Sequence, residues 1–277
     1  MPMPEQAAAP CLSLPPANGE GRLATAFLLA HQDDELGCLP EIDRVLHTGG
    51  RALCIFLTDG AGQGSDTGRH NGESLRALSR LGVPPADILF LGTSLRIADG
   101  TLIDHLHEVD CALAPILAGA APVSRIVVHA WEGGHQDHDA AHLLGVGAAT
   151  RLGILGASRQ FPLYRAARCG PLPYVGLMAL TANGPIDANT FSRMRGLTYL
   201  RTAFGYRSQR RALLALLPFL AWRYALQPRQ QLQPLPRART AQRPHAGRLL
   251  YERMGRMTYA YLRDRAEAYL FEMKGAA

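Results

Sequence analysis

The sequence predicts an α/β fold: a Rossmann-like parallel sheet with helices on both faces and an active site at the carboxyl ends of its strands. Three observations lead there. Through the first 150 residues, short apolar runs alternate with helical patterns. Each run is apolar at successive positions, as a parallel strand covered on both sides requires. Polar, titratable clusters follow where the runs end, and ligands in such sheets bind beyond the carboxyl ends of the strands.

Ala24–Ala30, Ala52–Leu57, Ile88–Leu91 and Arg125–His129 are the expected buried strands. Pro40 to His47 is a helix with proline in its first turn and Gly49-Gly50 as its stop. Glu73–Leu81, closed by Gly82, is the second helix, Leu102–Leu117 the third and Asp139–Leu152 the fourth. Beyond residue 150 the pattern weakens. Phe161–Arg165 and Tyr174–Leu180 read as strands, 190–226 as helical, Gln227–Pro244 as a Gln/Pro/Arg-rich loop, and Gly247–Met273 as one amphipathic helix. The expected organisation is a flexible leader over 1–20, an α/β core over 21–185, and a mainly helical, Arg-rich part over 186–277 packed on that core.

Composition narrows the function classes. No window approaches the run of about 18 apolar residues that spans a bilayer. The leader has neither the basic start nor the apolar stretch of a signal peptide. Five widely spaced cysteines without a CxxC argue against a disulfide framework or a thiolate zinc site, and fit a reducing cytoplasm. The net charge of +6 is uneven: residues 1–192 hold 12 Arg and 19 acids, whereas 193–277 hold 17 bases and 4 acids. A basic rear half suits an anionic group, or is simply an Arg-rich surface. Nucleic acid is not expected, because aromatic residues are not interleaved with the arginines and no recognised module occurs.

Two clusters carry the chemistry. His31-Gln32-Asp33-Asp34-Glu35 follows the first strand directly, and carboxylates this close repel unless solvated, hydrogen-bonded or bound to a cation. His135-Gln136-Asp137-His138 follows the fourth strand and a Gly133-Gly134 turn. Alone, the first is what an acidic capping loop usually looks like and the second reads also as a helix N-terminus; His138 and His142, four apart, are a rival ligand pair. Together, at neighbouring strand ends, they offer the His, His and carboxylate set that leaves one zinc position open for water.

Here the sequence resembles a known family. Ala30-His31-Gln32-Asp33-Asp34-Glu35 is similar to the AHPDDE signature of the LmbE-like, or PIG-L-like, deacetylases, and His135-Gln136-Asp137-His138 to their HPDH signature, with Gln in place of Pro in both. Thr58-Asp59-Gly60 resembles the family's TDG turn, Leu81-Gly82-Val83 and Phe90-Leu91-Gly92 its second helix and third strand, and Tyr206-Arg207-Ser208-Gln209 a later Y-x-SQ element. A glycine pair usual after the first motif is replaced by Leu39-Pro40.

The resemblance implies a zinc-dependent deacetylase (Fe2+ and other divalent ions suit similar ligands) that hydrolyses the N-acetyl or N-acyl amide of an amino-sugar conjugate. It implies His31, Asp34 and His138 as metal ligands, Asp33 as general base, and His135 as oxyanion stabiliser oriented by Asp137. Arg69 resembles a substrate-contacting arginine. Asp59 could meet a sugar hydroxyl or a ligand histidine, or only hold its turn; Trp131 could stack on a sugar ring or belong to the core. Leu213–Trp222, flanked by Arg210-Arg211 and Arg223, reads as core, or as a segment resting on a membrane surface. Two other functions stay open: a hydrolase of a non-sugar amide, and a sugar-binding protein with a vestigial site.

Overall fold

The four early apolar runs form strands and the early helix patterns form helices, whereas the expected strand over Phe161–Arg165 is split at Pro162-Leu163 and that over Tyr174–Leu180 ends at Gly176. In this computed structural model, which describes residues 22–60, 66–120, 122–169 and 172–275, β1 (Ala24–Leu29), α1 (Leu39–His47), β2 (Arg51–Phe56), α2 (Thr67–Leu81), β3 (Ile88–Phe90), α3 (Leu91–Leu95), α4 (Leu106–Gly119), β4 (Val123–His129) and α5 (Gln136–Arg151) follow in order. Then come β5 (Arg159–Phe161), β6 (Tyr164–Cys169), β7 (Leu172–Gly176), β8 (Asp187–Thr190), α6 (Arg193–Ala203), α7 (Arg210–Ala221), β9 (Arg229–Pro234), α8 (Leu250–Arg253) and α9 (Tyr259–Gly275). The expected leader, 1–20, lies outside the described residues.

The main sheet has seven strands in the order β3-β2-β1-β4-β5-β9-β8. The first five are mutually parallel, with Leu29 beside Phe56, Phe27 beside Val127 and His129 beside Phe161. Strand order reverses between β1 and β4, so their carboxyl ends flank the crevice where such sheets hold ligands. Alternation along the strands builds two cores. Ala26, Leu28, Leu53, Ile55 and Val128 face α4, α5 and α9. Phe27, Leu29, Cys54, Phe56 and Val127 face α1, α6 and α7.

Several bounds differ from expectation, each for a local reason. α2 starts at Thr67, six residues before Glu73, because Asp66 caps it by accepting the Arg69 N–H at 3.1 Å; Gly68 and Gly72 weaken its helical pattern. α5 starts at Gln136, three residues early, since the polar motif residues are themselves its first turn. The stretch expected as a loop over Gln227–Pro244 contains β9, which pairs antiparallel with β5 and with the unforeseen β8. The sheet is therefore continuous across the 185/186 point. The expected single helix over Gly247–Met273 is broken at 254–258, where Gly255 takes a φ of 69°.

Candidate active site

Four chain segments meet at the crevice. His31, Asp33 and Asp34 leave the end of β1; His135, Asp137 and His138 open α5; Asp99 comes from the loop after α3; and Arg256 comes from the break between α8 and α9. His31, Asp33, Asp34, Asp99, His135 and Arg256, together with Tyr164 of β6, border a cavity of about 720 Å³, while Asp137 and His138 lie buried behind them.

Asp34, almost fully buried, stands at the centre. Its carboxylate oxygens lie 3.3 Å from His31 Nδ1, 3.2 Å from His138 Nε2 and 3.1 Å from His129 Nε2. Burial pushes the Asp34 pKa up, but His138, His129 and His31 outweigh that and hold it well below the usual carboxylate range. Burial, with the neighbouring His129, lowers His138 to about 4, so at neutral pH it is an uncharged imidazole. For His31, burial opposes the charge, yet Asp34, Asp137 and Asp99 raise its pKa well above the ordinary value.

The donor set fits a divalent cation. His138 is buried and neither of its ring nitrogens has a hydrogen-bond partner, although Nε2 is within 3.2 Å of Asp34 Oδ1. An orphaned buried nitrogen beside a carboxylate is costly unless something bridges them. Potential metal-holding groups among the described residues are His31/His135/His138, Asp34/His129/His138 and His31/Asp99/His135/Asp137. His129 Nε2 is shared between the Ala30 N–H at 3.2 Å and Asp34 Oδ2 at 3.1 Å. Its ring stacks flat on His138, centroids 4.1 Å apart. The rival His142 is in none of these groups; its Nδ1 faces the His129 carbonyl at 2.8 Å.

Asp33 lines the cavity beside Asp34 with a φ of 107°, a conformation L side chains rarely adopt. Its N–H donates to Glu35 Oε2 at 2.8 Å. Burial, and then the charges of Asp34 and Glu35, hold its pKa well above the usual range. Glu35 is anchored in turn by the Tyr206 hydroxyl at 2.6 Å, while Glu73 accepts the N–H groups of Arg207 and Ser208. The Y-x-SQ element thus clamps the floor of the site. Gln32, which stands where proline is usual, donates its amide to Asn71 on α2.

His135 caps α5: its Nδ1 accepts the Asp137 N–H at 3.2 Å, and its Nε2 faces the guanidinium of Arg256, a group that can only donate. Burial, then His31 and His138, keep it well below its ordinary pKa. Asp137 therefore orients His135 through its backbone. Its carboxylate is 3.9 Å from His135 Nδ1 and instead binds Gly100 N, Leu102 N and His31 Nε2. Gly134 permits this loop, since a Cβ there would sit 1.9 Å from the Tyr164 carbonyl oxygen.

Three expected substrate contacts sit elsewhere. Arg69 is half exposed, pairs with Glu73 at 3.5 Å and does not line the cavity. Trp131 is fully buried, its indole N–H donating to the Gln242 carbonyl, and does not line it either. Asp59 accepts the Asp99 N–H at 3.2 Å and so holds the loop that carries Asp99. Sequence reasoning missed Asp99, 3.1 Å from His31 Nε2, and Arg256, whose guanidinium meets His135 Nε2. Asp99-Gly100 has only the signature of a turn, and Arg256 is one arginine among fourteen between 193 and 256.

Residues 26–149 match the family model PIG-L, described as GlcNAc-PI de-N-acetylase, a span that contains every motif residue from His31 to His138. Over that span the chain is similar to the PIG-L family. Solved structures agree on the fold. A deacetylase triple mutant from the teicoplanin biosynthetic pathway is 17% identical with a TM-score of 0.57, covering 76% of this chain and 97% of that one. The A40926 pseudoaglycone deacetylase Dbv21 is 17% identical with a TM-score of 0.56, covering 76% and 96%. The zinc-inhibited form of the teicoplanin deacetylase Orf2 is 15% identical with a TM-score of 0.55, again covering 76% and 96%. No curated protein matches the chain by sequence. The PIG-L match ends before Tyr164, Ser208 and Arg256, so one wall of the cavity is built from sequence outside it. Among the described residues no helix is long and apolar enough to cross a membrane.

Proposed function

We propose that this chain is a metal-dependent N-deacetylase that hydrolyses the acetyl amide of an amino-sugar conjugate. The observation that carries this reading is the convergence of His31 and the orphaned His138 on one buried carboxylate, Asp34, with a second carboxylate, Asp33, beside it at the cavity. His31, Asp34 and His138 would hold the ion, zinc by their nitrogen and oxygen donors, with Fe2+ compatible with the same set. The bound ion supplies a Lewis acid that polarises the amide carbonyl and makes water acidic enough to act near neutral pH.

The remaining work falls to the protein. Asp33, which is not among the proposed ligands, takes the proton from the attacking water and returns one to the departing amine, which is otherwise an unworkable leaving group. Its raised pKa suits that exchange. His135 and the Arg256 guanidinium against its Nε2 both face the cavity and would stabilise the oxyanion, where such a donor is worth roughly 3 kcal/mol in the transition state. Asp99 and Asp137 hold His31, and Asp99 is kept ionised: burial raises its pKa, but the hydrogen bond and charge of His31 lower it further. Leu163, Pro173, Tyr174, Leu213 and Leu216 form an apolar wall of the cavity, which favours a sugar bearing an apolar substituent over a free sugar.

Metal content measured with acetate release from a panel of N-acetyl sugar conjugates tests the proposal. Exhaustive chelation should abolish turnover, and zinc or Fe2+ should restore it. His138→Ala should lose bound metal, whereas His142→Ala should keep it. Full turnover without metal, or the opposite pattern in the two histidine variants, would overturn the reading.

A further inference from the structure

The outer faces of α6 and α7 are unusual for a water-facing surface. α6 exposes Met194, Leu197 and Arg201, and its C-cap Phe204 continues the line, three or four residues apart and so on one helical stripe. α7 exposes Arg210, Leu214 and Pro218, and the turn after it Trp222, at steps of four. Phe204 is 66% exposed, Leu214 68% and Trp222 47%. The opposite stripes, Tyr199 and Ala203 on α6, and Leu213, Leu216 and Leu220 on α7, enter the same core as α1. Both outward stripes therefore point away from the same face of the sheet. Single exposed apolar residues need no explanation, but a rimmed group of large ones marks a contact surface.

Charge indicates what covers it. Residues 193–226 contain seven arginines (193, 195, 201, 207, 210, 211 and 223) and no Asp or Glu. Arg195 pairs with Asp43, but Arg201 and Arg210 are exposed and have no ion-pair partner among the described residues. Aromatic and aliphatic tips between unpaired arginines match the interface of an anionic bilayer, where apolar side chains enter the headgroup boundary and guanidinium groups meet phosphates. The same helix reaches the cavity, since Leu213, Ala215 and Leu216 line it while their neighbour Leu214 faces outward.

We propose that the α6–α7 face docks peripherally on an anionic lipid surface, which brings the mouth of the cavity to the plane of the membrane. The inference does not depend on the deacetylase reading, because its test measures vesicle binding and not turnover. The two tryptophans divide the signal conveniently: Trp131 is buried and Trp222 is half exposed.

The full chain is mixed with vesicles of phosphatidylglycerol or of phosphatidylcholine. Trp222 emission should shift to the blue, and the protein should co-sediment, with phosphatidylglycerol only, and high salt should release it. Phe204→Ser with Leu214→Ser should abolish both signals. Arg201→Glu and Arg210→Glu should each lower partitioning by at least ~5-fold. Unchanged thermal melting would show that these surface variants are folded. Absence of binding, equal binding to both lipids, or indifference to charge reversal would overturn the proposal. So would a solution dimer dispersed by the double serine variant, which would assign the face to a second copy of this chain.

Discussion

Replacing Asp33 by glycine separates what this residue does from what it costs. At φ 107° an L side chain is strained, by about 1–2 kcal/mol in the left-handed region, and glycine removes that strain. Glycine also returns roughly 0.5–1 kcal/mol of backbone entropy to the unfolded chain. The N–H of residue 33 still reaches Glu35 Oε2, because that hydrogen bond is made by the backbone. Removing the carboxylate also relieves its repulsion with Asp34 and Glu35, which raises its pKa in the folded protein. The net expectation for Asp33→Gly is a gain of about 0.5–1 kcal/mol, seen as a rise of roughly 2 °C in melting temperature. Turnover should fall by about 10²- to 10⁴-fold, or some 3–5 kcal/mol of barrier, with metal content unchanged. Differential scanning fluorimetry, metal analysis and acetate release on one preparation check all three. Turnover within tenfold of the parent would remove Asp33 as the base; a melting temperature several degrees lower would refute the strain.

Two further outcomes follow from buried groups. Burial raises Glu132 to about 7 against the hydrogen bonds from Leu163 and Tyr164, and raises Asp139 to about 8. The folded state therefore holds protons that the unfolded chain has already released, so this contribution to stability is full at acid pH and disappears as pH rises from about 4.5 through 7 to 8. Glu132→Gln should flatten that decline and stabilise the protein at pH 9 by up to ~3 kcal/mol, measured by urea unfolding across pH; an unchanged slope would rule Glu132 out. Tyr206→Phe should cost about 1–3 kcal/mol, since buried Glu35 loses its hydroxyl donor; a neutral result in the same unfolding assay would show that the clamp from the Y-x-SQ element carries no weight.

The central strands were legible because burial on both faces leaves an unbroken apolar run, as in Phe27-Leu28-Leu29 and Cys54-Ile55-Phe56. The start of α5 was less so, since His135 to His138 form its first turn and carry no apolar periodicity. β9 was hidden for a related reason. Its Gln230 and Gln233 are buried, and they donate to the carbonyls of Gly37, Leu180 and Gly184, so a strand with a polar interior looked like a loop. At the site, the two motifs supplied every residue of the proposed ligand set and base. The neighbours that set their electrostatics did not announce themselves: Asp99 and Arg256 reach His31 and His135 only through loops that tertiary folding delivers. His129 ends a strand with no motif of its own, although it stacks on His138 from inside the core.

The antiparallel pairing of β9 with β5 has a consequence for how the chain could be divided. Without residues 229–234, the ladder would end at β5, a three-residue strand next to the crevice, with Gln160 stripped of the Pro234 carbonyl to which it donates. A raw edge of that kind invites stray pairing between molecules. The late segment works as a selvage, finishing the fabric beside the catalytic seam so that the margin does not catch on its neighbours.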